Sequence, residues 1–136
     1  MGWAAQYASV VNKPLLITHA VPAIEPDVTG WGSDGGSFVR VDEQLMADGE
    51  ALVAAAAKQV AESHPDLDVS TVVEQTDPRQ LLLRLAEVAA VVVTGSRGRG
   101  QFRSLLLGSV TAGVAGRAGC PVVVIPADAE NDKAVQ

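Results

Sequence analysis

The sequence predicts an α/β fold, an open parallel sheet with helices on both faces. Segments of helical composition alternate with short apolar segments along the 136 residues, and this order is typical of parallel strands joined by right-handed crossovers. Hydrophobic residues make up 48% of the chain and aromatic residues only 4%, which favours helices packed on an aliphatic sheet. The length suggests one domain spanning residues 1–136.

The first three elements are a helix, a strand and a loop. Residues 2–11 are rich in alanine, and Trp3, Tyr7 and Val10 recur on one side at helical spacing. Residues 14–21 are mostly apolar and predict a short buried strand. Pro14 is compatible with this, because a proline is tolerated at the first position of a strand. Proline, aspartate and glycine then predict a flexible loop over 21–38.

The middle of the chain predicts a long helix, a strand and a second helix. The helix is expected from residue 39 to 63, with an apolar stripe formed by Leu45, Leu52, Val53 and Val60. A strand at 69–73 follows. Asp77 and Pro78 then provide a capping residue and a proline suited to the first turn of a helix, and apolar residues continue that helix to Val88.

The last part of the chain predicts two strands that flank a glycine-rich connection and a short helix. Residues 89–94 form a continuous apolar run of the type buried in parallel sheets. Residues 108–118 predict a helix that ends at Gly119. A final strand is expected at 121–125, and residues 127–136 form a polar tail.

The charge distribution excludes some partners and favours others. The net charge of −6 argues against binding to long nucleic acids, which requires a concentrated positive field. Residues 88–127 nevertheless contain no acidic residue and carry +4, so the rest of the chain carries −10. A small anion is therefore the expected ligand of this positive stretch.

The sequence shows neither a membrane segment nor a disulfide framework. No run of 18 apolar residues is present, and residues 1–14 lack the features of a secretory signal. The single cysteine, Cys120, fits a reducing compartment and is expected to lie in the core. We therefore expect a cytoplasmic protein without a membrane partner.

A glycine-rich run in the positive stretch is the strongest indication of function. Gly95 and Gly98 are followed, after nine residues, by Gly108 and Ser109 at a predicted helix start. Backbone without side chains can approach a phosphate closely, and the first N–H groups of a helix point toward an anion. A P-loop would need a Gly-Lys pair, and a dinucleotide fingerprint would need glycine where Arg103 stands, so neither motif fits. The glycines could alternatively serve only as turn residues.

The run resembles the motif of ATP-binding members of the universal stress protein family: glycine, two residues, glycine, nine residues, glycine and serine or threonine. Gly95, Gly98, Gly108 and Ser109 match it completely, and the segments 91–94 and 120–125 are similar to that family's fourth and fifth strands. The resemblance covers essentially the whole chain. It implies that ATP, possibly with Mg²⁺, is the ligand.

The resemblance also assigns binding roles to individual positions. The ribose and triphosphate would be held by Gly95, Gly98, Gly108, Ser109, Val110 and Thr111. Thr94 and the backbone of Ala20 would line the adenine. Of the three arginines in the loop, which are Arg97, Arg99 and Arg103, we expect about one to touch phosphate, and Arg97 is the candidate nearest the first two glycines. No catalytic residue and no metal-ligating set is expected, and His19 is expected to be structural.

The chain departs from the family pattern at its start. Family members begin with an apolar strand that ends in an aspartate, whereas residue 2 here already lies in the helix that follows such a strand. The first strand, expected between the strands at 14–21 and 89–94, is therefore predicted to be missing. A shortened sequence, a misplaced start, a strand from a partner chain and a degenerate copy remain alternative explanations.

Three functional hypotheses follow. The first is an ATP-binding stress protein that acts as a nucleotide-dependent sensor or regulator, with ATP hydrolysis weak or absent because no residue is placed to drive phosphoryl transfer. The second is an interaction module without nucleotide, which forms a homodimer through the last strand at 121–125, as the family commonly does. The third and least favoured is an ATP-cleaving enzyme of related fold.

Overall fold

The computed structural model describes residues 1–24, 35–96 and 107–126, with the backbone alone over 35–40. Contacts within the chain divide it into two compact units, Met1–Asp77 and Pro78–Gln136. The strands in the described ranges form two parallel pairs, one in each unit. The prediction of an α/β fold with parallel strands is confirmed.

The described elements keep the predicted alternation of helices and strands. In chain order they are α1 (Gly2–Val10), β1 (Leu15–Val21), α2 (Gly35–Ser63), β2 (Val69–Gln75), α3 (Pro78–Leu85), β3 (Val92–Gly95), α4 (Ser109–Ala115) and β4 (Val122–Ile125).

In the first unit, β1 and β2 pair in parallel along seven residues. The register runs from Leu15 opposite Val69 to Val21 opposite Gln75. Backbone bonds just beyond the two ends of β2 extend the ladder: the Leu15 N–H donates to the Asp68 carbonyl at 2.8 Å, and the Thr76 N–H donates to the Val21 carbonyl at 3.0 Å. Strands of this length and β-branched composition provide a wide apolar surface for a helix.

Helix α2 supplies the cover for that strand pair. Its buried residues Val53 and Val60 join Ile17 of β1 in one apolar cluster, and the 29-residue helix contacts both strands. Gly49 marks the closest approach, because a Cβ there would lie 3.1 Å from atoms of His19, Val21 and Val73. The helix therefore lies directly on the sheet at this point.

Helix α1 packs through its small residues and not through its large ones. Ala4, Ala5 and Ala8 are buried, whereas Trp3 and Tyr7 are 39% and 40% exposed and stack on each other with ring centroids 5.2 Å apart. The stripe found in the sequence at residues 3, 7 and 10 is thus the outer side of the helix.

The second unit is built on shorter elements. Strands β3 and β4 pair in parallel over four residues, from Val92 opposite Val122 to Gly95 opposite Ile125. Its apolar cluster is centred on Ala86, Val92 and Val114, so residues from the end of α3, from β3 and from α4 meet in one core.

Several predicted bounds and one predicted core position were wrong. Helix α3 ends at Leu85 and not at Val88, β2 runs to Gln75 and not to 73, and β4 begins at Val122 and not at 121. Helix α2 begins at Gly35 and not at 39, so glycines that suggested a loop are helical. Strand β3 begins at Val92 and not at 89, because the Ala89 N–H still donates to the Leu85 carbonyl in a helical turn. Helix α4 ends at Ala115 and not at 118. Leu52 of the expected apolar stripe is 44% exposed.

Two predicted segments fall largely or wholly outside the described part of the chain. Residues 25–34 of the expected loop at 21–38 are not described, and neither is the expected tail at 127–136. The described remainder of the loop range belongs to the end of β1, to residues 22–24 and to the start of α2.

Candidate functional site

The candidate site starts where the chain leaves β3. Thr94 and Gly95 are the last two residues of that strand, and Gly95 is exposed whereas Thr94 is half-buried. Ser96 follows, and its N–H donates to the Ile125 carbonyl at 2.8 Å. This end of the second strand pair is the carboxyl end, where open parallel sheets of this class bind ligands.

A buried threonine ties α4 to the end of β3. Thr111 is 4% exposed, and its hydroxyl donates to the Gly95 carbonyl at 2.8 Å. The same Oγ1 lies 3.4 Å from the Thr94 Oγ1. The hydroxyls of Thr94 and Thr111 therefore lie between β3 and α4, inside the second unit.

The two ends of the glycine-rich connection are held together by a backbone bond. The Gly108 N–H donates to the Ser96 carbonyl at 2.8 Å, so the N–H of the third motif glycine closes the connection. Gly98 and Arg97 lie outside the described residues, as do Arg99 and Arg103. The described part of the motif is thus Gly95, Gly108 and Ser109.

The start of α4 presents three amide donors. The first helical bond runs from the Ala112 N–H to the Gly108 carbonyl at 2.9 Å, and within the described ranges no backbone bond uses the N–H groups of Ser109, Val110 or Thr111. The Ser109 side chain is exposed and adds a hydroxyl. The Val110 side chain packs against the apolar cluster of the second unit, which leaves only its backbone to face a ligand.

The helix itself is short. Helix α4 has seven residues, about two turns, so the sum of its peptide dipoles is smaller than the predicted eleven-residue helix would give. The helix dipole alone is therefore a weak attraction for an anion, and individual N–H and O–H donors are the stronger feature of this helix start.

Ala20 belongs to the first unit. It is half-buried in β1 and lies opposite Glu74 of β2 in the register. Ala20 thus belongs to the first unit. The other predicted site residues that the structure describes belong to the second unit: Thr94, Gly95, Gly108, Ser109, Val110 and Thr111.

Two remaining expectations concern single side chains. Cys120 is half-buried against the cluster of Val92 and Val114, in agreement with a core position. His19 packs beneath Gly49 of α2.

In the parts of the chain that the structure covers, no three His, Cys, Asp or Glu residues come close enough to hold a metal ion. Among the described helices, none has the length and apolarity needed to cross a membrane.

Sequence reasoning missed the contact on which this geometry depends. Thr111 and Gly95 are 16 residues apart, and neither periodicity nor composition connects them. The closure of the connection through Ser96 was missed for the same reason. The only available signal was the position of a threonine three residues after the third glycine.

The chain matches the model of the universal stress protein family over residues 1–126. Among curated relatives, it is similar to Universal stress protein Rv2005c of Mycobacterium tuberculosis, with 33% identity over 135 residues that cover 93% of this chain and 42% of the relative. A universal stress protein of Mycolicibacterium smegmatis is 42% identical over 83 residues, which are 61% of this chain and 28% of that protein. The chain thus spans less than half the length of these relatives.

Solved structures show the same fold. Universal stress protein UspA from Lactobacillus plantarum superposes with a TM-score of 0.72 at 18% identity, covering 91% of this chain and 85% of that one. A universal stress protein in complex with cAMP has a TM-score of 0.54 at 23% identity, over 91% and 82% of the two chains. One from Archaeoglobus fulgidus in complex with dAMP reaches 0.52 at 17% identity, over 90% and 82%. The parallel strand pairs and the family match over residues 1–126 lead to one conclusion: the chain belongs to the universal stress protein family.

Proposed function

We propose that this chain binds ATP or a related adenine nucleotide at the carboxyl end of β3 and the start of α4, and that nucleotide occupancy regulates its interactions. The observation that carries the proposal is the meeting of Gly95, Gly108 and Ser109 in the second unit, with three helix-start N–H groups beside them. Two structural neighbours that carry cAMP and dAMP support a nucleotide as the class of ligand.

The ligand's phosphates are assigned to the donors at the start of α4. The N–H groups of Ser109, Val110 and Thr111 and the Ser109 hydroxyl can donate to phosphate oxygens. Gly98 and Arg97 complete the assignment as predictions from the motif. The stretch 88–127 carries +4, which favours an anion in this region over one bound elsewhere on an acidic chain. Mg²⁺ would accompany a triphosphate, held by the phosphates themselves.

Fewer residues are assigned to the adenine than to the phosphates. Thr94, in the same unit as the phosphate donors, is proposed to line the adenine, following the family pattern. Because the Thr94 hydroxyl lies 3.4 Å from that of Thr111, Thr94 would contact a base through its methyl group and backbone.

Calorimetric titration with ATP, cAMP and AMP tests the proposal. At a nucleotide concentration 100 times the Kd, binding should stabilise the fold by about 2.7 kcal/mol, which a thermal melt also detects. The informative variant is Gly108→Val, because Gly108 has φ −56 and ψ 153, a backbone conformation open to valine. The backbone conformation is therefore kept, and the added side chain should block the approach of a ligand to this backbone.

Gly116→Val is the matched control, since Gly116 lies at the other end of the same helix with φ −84 and no atom within 4 Å of an ideal Cβ. We expect Gly108→Val to lose binding and Gly116→Val to retain it. No heat of binding and no thermal shift for the unaltered chain would contradict the proposal.

A homodimer formed through β4 is the second candidate function. Val122 to Ile125 are apolar and all half-buried, and within the described residues β4 pairs on one side only, with β3. A strand of this composition at an edge favours pairing with another chain. Light scattering that gives twice the monomer mass, unchanged by ATP, would favour the interaction module; a monomer would exclude this candidate.

Nucleotide turnover lost in Ser109→Ala would instead support the ATP-cleaving hypothesis.

A further inference from the structure

The buried hydroxyl of Thr111 makes a contact outside its own helix. Thr111 is the third residue of α4, so no earlier turn of that helix offers its hydroxyl a carbonyl. Here the Thr111 hydroxyl donates instead to Gly95, 16 residues earlier in β3, at 2.8 Å. With 4% of its surface exposed, the side chain is fixed between α4 and the end of β3 and is poorly placed to contact a ligand directly.

The Gly95 carbonyl needs this donor because β4 does not supply one. In a parallel pair, alternate residues direct their backbone groups toward the partner strand. The N–H groups of Val92 and Ser96 donate to carbonyls in or next to β4, so the backbone of Gly95 faces the other side. The peptide group that joins Gly95 to Ser96 is thus held from both sides, by the Ser96 N–H bond to Ile125 and by the Thr111 hydroxyl bond to the Gly95 carbonyl.

This contact lies beside the bond that closes the glycine-rich connection. Ser96 follows Gly95 directly, and its carbonyl accepts the Gly108 N–H at 2.8 Å. Both bonds join the end of β3 to the start of α4, so loss of the Thr111 contact would loosen the spacing on which the bond from Gly108 to Ser96 depends. The Thr111 contact thus supports the closure at Gly108.

We infer that the Thr111 side chain is a positioning group for the nucleotide and not one of its ligands. It holds the Gly95 peptide, and with that peptide the Ser96–Gly108 closure, in the conformation that receives the nucleotide. This inference rests on the proposed function, and it replaces a phosphate contact by the Thr111 hydroxyl with an indirect role. A pre-arranged connection binds more tightly because less order has to be gained on binding.

Three variants separate this role from others. Thr111→Val keeps the branched shape but removes the hydroxyl, and Thr111→Ser keeps the hydroxyl. Thr18→Val is the matched control, because the Thr18 Oγ1 is buried without a hydrogen-bond partner in the described structure. If Thr111→Val fails to fold, Thr111→Ala removes the same hydroxyl without a replacing methyl group.

Hydrogen exchange of the Ser96 and Gly108 amides, measured without nucleotide, is the first readout. We expect Thr111→Val to raise the exchange rate of the Gly108 amide by about fivefold or more, the order expected from loss of one hydrogen bond. Thr111→Ser and Thr18→Val should stay within about twofold of the unaltered protein. Unchanged exchange in Thr111→Val would overturn the inference whatever the protein binds.

Titration with ATP is the second readout. Thr111→Val should raise the Kd by about fivefold, and Thr111→Ser should restore it. If the unaltered chain binds ATP and Thr111→Val binds equally well, the inference is wrong and the proposed function stands. If the unaltered chain binds no nucleotide, the proposed function fails and so does a positioning role toward nucleotide, while the exchange data still decide whether Thr111 orders the connection.

Discussion

The two strand pairs of this chain are held by different means. In the first unit, seven-residue strands are covered by a 29-residue helix that approaches closely at Gly49. In the second unit, four-residue strands are covered by a seven-residue helix, and a hydroxyl bond from Thr111 joins α4 to β3. Each pair is covered by an apolar cluster, and the second has in addition a side-chain hydrogen bond between its helix and its strand.

The difference assigns separate roles to the units. Long paired strands under a long helix resist local opening, and ligand-binding segments are usually drawn from less protected parts of a fold. The family motif lies in the second unit, with Gly95, Gly108 and Ser109 at the ends of its short elements. We therefore expect nucleotide to order the second unit more than the first.

The largest expected effect comes from a fully buried leucine in α3. Leu81 of α3 is 2% exposed, and Leu81→Ala should lower the free energy of unfolding by about 2–5 kcal/mol through lost burial and a cavity. Leu52→Ala in α2 is the control, since Leu52 is 44% exposed and should cost about 0.5 kcal/mol or less. Urea denaturation measures both; equal losses would show that Leu81 does not carry the core.

Two glycines test how tightly each unit is packed. Gly49→Ala places a Cβ 3.1 Å from three side chains of β1 and β2, so overpacking should cost about 1–3 kcal/mol, reduced by about 1 kcal/mol from better helix propensity. Gly116→Ala meets no atom within 4 Å and should stabilise by about 0.4–1 kcal/mol. Thermal melts of the two variants should shift in opposite directions, and a gain in Gly49→Ala would contradict the close helix–sheet contact.

The smallest effect distinguishes the two buried hydroxyls. Thr18→Val removes an Oγ1 that has no partner in the described structure, so the change should be neutral or stabilise the fold by up to about 1 kcal/mol. Thr111→Val removes a bonded hydroxyl and should destabilise by about 1 kcal/mol. Denaturation midpoints that move in the same direction for both variants would remove this contrast between the units.

The sequence predicted the class of fold and the order of its elements, because apolar strands and capping signals are local. Pro78 begins α3 as expected, since a proline suits the first helical turn whatever surrounds it. The neighbours Leu52 and Val53 show the limit of such reasoning. Both are apolar and both fit a helical stripe, yet Val53 is 4% exposed and Leu52 is 44% exposed, because the position of β1 and β2 decides which side is covered.

The candidate site was predictable as a motif and not as a geometry. The spacing of Gly95, Gly108 and Ser109 is visible in the sequence. The geometry depends on two contacts between residues that are distant in the sequence. The Gly108 N–H donates to the Ser96 carbonyl, and the Thr111 hydroxyl donates to the Gly95 carbonyl. The Thr111 hydroxyl and the Gly108 N–H are thus engaged within the protein, so the proposed phosphate donors are Ser109 and the N–H groups at the start of α4.

The most direct test of the nucleotide-binding proposal is a titration of ¹⁵N-labelled protein with ATP, followed by NMR at each backbone amide. We predict saturable shifts concentrated at Gly95, Ser109, Val110 and Thr111, with the same set moving in Ser109→Ala at a higher ATP concentration. Shifts that do not saturate, or that fall only in the Met1–Asp77 unit, would contradict the assignment of the nucleotide to the carboxyl end of β3 and the start of α4.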